Sequence, residues 1–108
     1  MNSKLKMAIV GAGTWGENHA AIYKAHPFVE TVAICDRDRG RAQAVAEKMG
    51  IPQVYEDYGE MFRDSGCDAV AIVTPDFAHA EIAVCAAGHK KHVLVEKPLA
   101  TTREDVFR

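Results

Sequence analysis

Lys6-Met7-Ala8-Ile9-Val10-Gly11-Ala12-Gly13-Thr14-Trp15-Gly16 is the stretch on which the fold turns. Residues 7–10 form a short apolar run with no polar interruption, and the run breaks at glycines spaced G-x-G-x-x-G. A buried strand that enters a tight turn and continues straight into a helix has this pattern. Gly11 permits the turn, Gly13 has no side chain to hold a diphosphate away from the backbone, and Gly16 lets the new helix lie close against the strand. The helix that starts here directs its unpaired N–H groups, and the positive end of its dipole, at the space above the turn. A diphosphate suits that space. Glycine-rich turns also arise for purely structural reasons, so the spacing needs support from the rest of the chain.

Outward from this turn, apolar runs and helical patterns alternate. Residues 15–25 read as the first helix, ended at His26-Pro27 because proline disfavours a helical residue before it. Residues 31–35 read as the second strand. The helix after it, Arg39–Met49, carries Ala42, Val45, Ala46 and Met49 on one face and is closed by Gly50. Residues 53–55 are a weak third strand, and Asp57 with Glu60 resembles a capping box for a brief helix bearing Met61 and Phe62. Residues 69–73 are apolar at every position, which predicts a strand buried on both faces in a parallel sheet. Asp76 is placed to cap a helix with Ala78, Ile82, Cys85 and Ala86 on one face. Residues 92–95 are the fifth strand, with Val93, Leu94 and Val95 expected to be buried, and Thr101 with Glu104 starts another helix. The expected class is α/β, a Rossmann-type doubly wound parallel sheet of five strands with right-handed crossovers, truncated before the usual sixth strand. Residues 1–108 are read as one domain.

Composition narrows the function. Hydrophobic residues make up 48% and charged residues 26%, ordinary for a globular chain. Thirteen basic against 15 acidic residues give a net charge of −2, with no electrostatic footprint for nucleic acid or an anionic membrane. His89-Lys90-Lys91-His92 is too short to change this and fits a helix C-terminus, where cations suit the dipole. No apolar run approaches the roughly 18 residues that span a bilayer, and the N-terminus leads into the first strand without room for a secretory signal. Cys35, Cys67 and Cys85 lie in or beside apolar runs without metal-ligand spacing. They read as buried, reduced thiols of a cytoplasmic protein, and no metal site is expected.

Three further features bear on chemistry. Asp36 ends the second strand 20 residues after Gly16, where a carboxylate can accept from both hydroxyls of an adenosine ribose. The alternative is a turn or capping aspartate, with Asp38 close by. A carboxylate at this position repels a 2′-phosphate, which favours NAD over NADP. Arg37, next in sequence, could stack on adenine or pair with that phosphate, which leaves NADP open. Thr74-Pro75 follows the fourth strand at the carboxyl edge, where open α/β sheets bind ligands, although a plain strand-to-helix turn reads the same way. His79, one turn into the next helix, either contacts a cofactor or covers its edge. Glu96-Lys97-Pro98 ends the fifth strand and brings two charged side chains to that same edge.

With these residues in order, the chain resembles the glucose–fructose oxidoreductase / inositol dehydrogenase (Gfo/Idh/MocA) family. The motifs are Gly-Ala-Gly-Thr-Trp-Gly at 11–16, Asp36, Thr74-Pro75 with His79, and His92-Val-Leu-Val-Glu-Lys-Pro98, the last far more specific than the glycine turn. Gly88-His-Lys-Lys-His92 looks a residue longer than the common family form. The resemblance implies NAD(P)-dependent oxidation or reduction of a sugar, cyclitol or related polyol. Carried over by position, Gly11, Gly13, Thr14, Trp15 and Gly16 would hold the pyrophosphate and Asp36 the ribose. Thr74, Pro75 and His79 would border the nicotinamide half, with Glu96 near the nicotinamide and its ribose. Lys97 would contact the substrate oxygen as the catalytic cation, since a lysine beside a developing alkoxide stabilises it.

The resemblance also implies a second α/β domain that forms the substrate wall and commonly mediates oligomerisation, which residues 1–108 do not contain. The expectation is therefore a cofactor-binding domain that holds dinucleotide without turning over substrate. An uncovered sheet edge would favour homo-oligomers. Two other readings share some of the residues. One is a non-catalytic NAD(P)-binding or redox-sensing module. The other is a methyltransferase, in which Glu96-Lys97-Pro98 would have no role.

Overall fold

The computed structural model describes residues 4–73 and 76–95 of the chain. β1 (Leu5–Val10) is the centre of a five-stranded sheet in the order β3-β2-β1-β4-β5, with every neighbouring pair parallel. The other strands are β2 (Val29–Cys35), β3 (Gln53–Tyr55), β4 (Ala69–Ile72) and β5 (His92–Val95). Between them run α1 (Thr14–Ala25), α2 (Arg39–Met49), α3 (Tyr58–Asp64) and α4 (Asp76–Gly88). Strand order reverses across β1: the chain first builds outward to β2 and β3, then crosses to β4 and β5. A crevice opens at such a switch point, at the carboxyl ends of the strands.

Two apolar layers sandwich the sheet. On one face Met7, Ile9, Ile34, Ala69 and Ala71 meet Ala20 and Tyr23 of α1 and Ala42, Val45 and Ala46 of α2. On the other, Ala8, Val10, Cys35, Val70 and Ile72 meet Met61 and Phe62 of α3 and Ile82 and Ala86 of α4. Successive strand residues point to opposite faces, so the uninterrupted apolar runs of β1 and β4 fill both layers at once. This is the physical content of the missing polar alternation. A register shift between Met7 and Ala8 opposes one extra β2 residue, so Val32 and Ala33 both join the α3–α4 layer.

Helix ends follow local chemistry. Asp38 caps α2 by accepting the Arg41 N–H at 3.1 Å, and Asp57 caps α3 by accepting the Gly59 N–H at 2.9 Å. Gly50 closes α2 in the left-handed region at φ 72°. At the end of α4 that role falls to Lys90, at φ 61°. The Lys91 N–H returns to the Ala86 carbonyl at 3.0 Å and the Lys90 N–H to that of Ala87 at 2.9 Å, the paired bonds of a Schellman turn. The Lys91 ammonium donates to the Cys67 carbonyl at 2.6 Å, which gives that member of the short basic cluster a structural role.

Three expectations need correction. Val93 and Leu94 are exposed, because β5 pairs only with β4 and forms an edge of the sheet among the described residues. Cys35 and Cys67 are buried free thiols, but Cys85 is only half-buried on α4. β2 begins at Val29, two residues early, where its register with Leu5 extends the pairing with β1, and β4 ends at Ile72. Thr101 and Glu104, expected to open a further helix, lie outside the described residues. Among the described residues no helix is long and apolar enough to cross a membrane.

Candidate functional site: the crevice at the carboxyl edge

Parallel register sets the site. Tyr55, Cys35, Val10, Ile72 and Val95 pair in succession across the sheet, so all five strands end in one row. Just past that row the Gly11 N–H donates to the Cys35 carbonyl at 2.8 Å, and the Val73 N–H to the Val10 carbonyl at 2.9 Å. The glycine turn, the end of β2 and the end of β4 are thereby locked together around the switch point.

Within the turn, the three glycines are not equivalent. Gly11 sits at φ +110°, and a Cβ there would stand 3.0 Å from both the carbonyl oxygen and a methyl of Val73. A Cβ on Gly16 would overlap the Gly11 carbonyl oxygen and lie 2.7 Å from its carbon. Both are therefore required by the fold, one by its conformation and one by the contact of α1 with the turn. Gly13 differs. Its φ of −76° is open to any residue, and among the described residues its Cβ would meet no atom beyond its chain neighbours nearer than the Arg41 Nη1 at 4.0 Å. Among the described residues, packing gives no reason for glycine at this position.

Gly13 is also the N-cap of α1 and, having no side chain, makes no capping hydrogen bond of its own. The first intrahelical bond runs from the Glu17 N–H to the Gly13 carbonyl at 2.9 Å, which leaves the N–H groups of the first turn without helical acceptors. Open space, uncapped donors and a positive dipole end coincide here, an arrangement suited to an anion such as a pyrophosphate.

Asp36 leads from the end of β2 into this crevice, and its carboxylate has structural work there. Oδ2 accepts the Ala12 N–H inside the glycine turn at 2.8 Å, and Oδ1 accepts the Asp38 N–H at 2.8 Å. The helix cap is Asp38, so Asp36 is not the capping aspartate. Each carboxylate oxygen has two lone pairs, and one backbone bond apiece leaves acceptor capacity for sugar hydroxyls. Beneath it the Cys35 thiol is pushed up to about 12, first by burial and then by the Asp36 charge, so it stays protonated and unreactive.

The remaining expected residues divide by position. Thr14 and Trp15 open α1 and His79 lies in α4, whereas Thr74, Pro75, Glu96 and Lys97 lie outside the described residues. Arg37 is exposed beside Asp36. Sequence reasoning passed over Arg41, whose guanidinium the structure places next to Gly13. A signal was present: the first turn of α2 carries Arg39 and Arg41 and no acidic residue, against the usual charge preference at a helix start.

A doubly wound sheet with a glycine turn opening an uncapped helix at the switch point, and a carboxylate at the end of the second strand, defines a dinucleotide-binding domain. Residues 5–108 match the oxidoreductase family described by its NAD-binding Rossmann fold, the Gfo/Idh/MocA family. The chain belongs to this family. It is 41% identical over 106 residues to an inositol 2-dehydrogenase of Salmonella typhimurium, covering 96% of this chain and 32% of the relative. With a scyllo-inositol 2-dehydrogenase (NAD(+)) of Bacillus subtilis it shares 37% identity, covering 97% and 31%. Among solved structures, scyllo-inositol dehydrogenase of Lactobacillus casei with bound NAD(H) and scyllo-inositol superimposes with a TM-score of 0.83 at 27% identity, covering 97% of this chain and 31% of that one. The chain thus spans about a third of the length of the relatives it matches. Five parallel strands with four helices, and an NAD-binding Rossmann domain, are what both the geometry and the family describe.

Proposed function

We propose that residues 1–108 form the cofactor half of a dehydrogenase that oxidises an inositol or related polyol, with NAD preferred over NADP. The observation that carries this reading is Gly13, whose open side, uncapped helix N–H groups and neighbouring Asp36 suit a dinucleotide diphosphate and ribose. The inositol dehydrogenases among the relatives support the substrate class. In this assignment Gly11, Gly13, Thr14, Trp15 and Gly16 cradle the pyrophosphate, and Asp36 accepts from the adenosine ribose, with Arg37 at its rim. Thr74, Pro75, His79 and Glu96 border the nicotinamide end. The bound nicotinamide supplies the hydride chemistry. Lys97 follows β5 by two residues in sequence, and its ammonium stabilises the substrate oxygen as its proton leaves. The polyol-reading wall comes from outside residues 1–108. The exposed Val93 and Leu94 at the sheet edge favour self-association, and the free thiols suit a cytoplasmic setting.

The test is a calorimetric titration of the chain with NAD, NADH and NADP in parallel. Saturable binding with NAD favoured is the expected result. A folded chain that binds none of the three refutes the reading.

A further inference from the structure

We propose that Tyr58 and Glu81 are positioning residues for the nicotinamide end of the cleft, their hydrogen bond fixing the start of α4 against α3; the proposal rests on the dinucleotide reading above. The Tyr58 hydroxyl donates to Glu81 Oε1 at 2.7 Å, a side-chain bond across 23 residues of sequence. Its two ends lead to opposite parts of the cleft. On one side, Tyr58 opens α3 shortly after Tyr55, whose carbonyl accepts the Asp36 N–H at 3.1 Å. On the other, Glu81 follows closely on His79 in α4. The bond thus closes a strap that runs from the end of β2, through β3 and α3, to the first turns of α4.

The strap acts where the core packing stops. Ile82 and Ala86, the α4 side chains buried in the core, both lie beyond Glu81, so among the described side chains Glu81 is the tie nearest the start of the helix. The far end of α4 is held separately, by the His89 ring 5.9 Å from that of Phe62. Tyr58 is suited to hold the near end. Its ring packs on the layer of Met61 and Phe62, with the Phe62 ring centre at 6.0 Å, and this fixes where the hydroxyl points. Glu81 answers the phenol rather than a cation: among the described residues the ion pairs are Lys48 with Glu17 and Arg63 with Asp64. The phenol is pushed up to about 12, first by this hydrogen bond, so it remains a donor through neutral pH. A bond to a carboxylate is stronger than one between neutral groups. Its loss frees the start of α4 and leaves the buried face of the helix in place.

NADH and ADP-ribose divide the cofactor, since both carry the adenosine and the diphosphate and only NADH carries the nicotinamide. Titration of each into wild-type, Tyr58→Phe, Glu81→Ala and Glu81→Gln chains reads the two halves apart. Tyr58→Phe and Glu81→Ala should each weaken NADH by about fivefold, the weight of one hydrogen bond, and leave ADP-ribose within about twofold of wild type. Glu81→Gln keeps an acceptor oxygen for the phenol and should retain NADH affinity to within about twofold. Tyr58→Phe keeps the packed ring and Glu81 is exposed, so the three variants remain folded. Unchanged NADH affinity in Tyr58→Phe overturns the proposal. So does an equal loss of NADH and ADP-ribose, the mark of general loosening, and so does a Glu81→Gln chain as weak as Glu81→Ala. A wild-type chain that binds neither ligand overturns the dinucleotide reading itself, a result distinct from all of these.

Discussion

Replacing Gly16 and Gly13 by alanine, one at a time, separates the glycine that the fold requires from the one that we propose faces the dinucleotide. At Gly16 the new methyl overlaps the Gly11 carbonyl oxygen and stands 2.7 Å from its carbon. Neither atom can yield, because the Gly11 N–H is tied to the Cys35 carbonyl at 2.8 Å and the turn is pinned again through Ala12 to Asp36. The start of α1 must therefore lift from β1 and open the layer in which Ala20 and Tyr23 pack. Overpacking of this kind costs about 3 kcal/mol, or on the order of 15 °C in melting temperature for a domain of this size. At Gly13 the backbone is already in a conformation open to alanine, and among the described residues the methyl meets nothing beyond its chain neighbours nearer than 4.0 Å. Stability should change by less than about 0.5 kcal/mol, since the poorer N-cap offsets the smaller entropy loss. Affinity for NAD should instead fall by at least about tenfold, roughly 1.4 kcal/mol, as the methyl enters the space assigned to the diphosphate. Urea unfolding of both variants, followed by calorimetric titration of Gly13→Ala with NAD, measures each quantity. Wild-type stability in Gly16→Ala would refute the packing argument, and wild-type affinity in Gly13→Ala would refute the ligand argument.

Asp36→Ala leaves the N–H groups of Ala12 and Asp38 without their carboxylate acceptor, so it should lower stability by about 2 kcal/mol as well as weaken NAD more than NADP. Faster hydrogen exchange at the Ala12 amide is the direct readout, and unchanged exchange would show that the bond does not hold the turn. Lys90→Gly removes a side chain from a left-handed position at φ 61° and should raise stability by about 1 kcal/mol, a gain absent if the loop simply relaxes. The Cys35 thiol is raised from 9.0 to about 12, chiefly by burial. The folded chain keeps that proton while the unfolded chain releases it, so stability holds below about pH 9 and declines as pH climbs from about 9 towards 12. Tyr58, raised to about 12 mainly by its hydrogen bond to Glu81, declines alongside. Unfolding midpoints across this range should therefore fall less steeply for Cys35→Ala than for wild type, and equal slopes would discount the buried thiol.

Much of the fold was legible because its signals are local. The unbroken apolar runs at 7–10 and 69–73, the proline after His26 and the glycine after Met49 each act within a few residues, and they located β1, β4 to within a residue, the end of α1 and the end of α2. The exposure of β5 was not legible. Val93 and Leu94 look as apolar as Val70 and Ala71, and only the strand order places one pair at an edge and the other at the centre.

The candidate site divides along the same line. From sequence alone came the spacing of Gly11, Gly13 and Gly16, the carboxylate at Asp36 and the Glu96-Lys97-Pro98 motif, since each is a matter of residue type at a fixed distance along the chain. The tertiary structure assigned the roles within that set. It showed that the fold requires glycine at 11 and 16 while leaving the side of Gly13 open among the described residues, made Asp36 a clamp on the turn, and carried Arg41 across to Gly13 from the next helix. Those assignments depend on which atoms from distant parts of the chain share one small volume, and that is fixed only when parallel register brings the ends of β1, β2 and β4 into a single row.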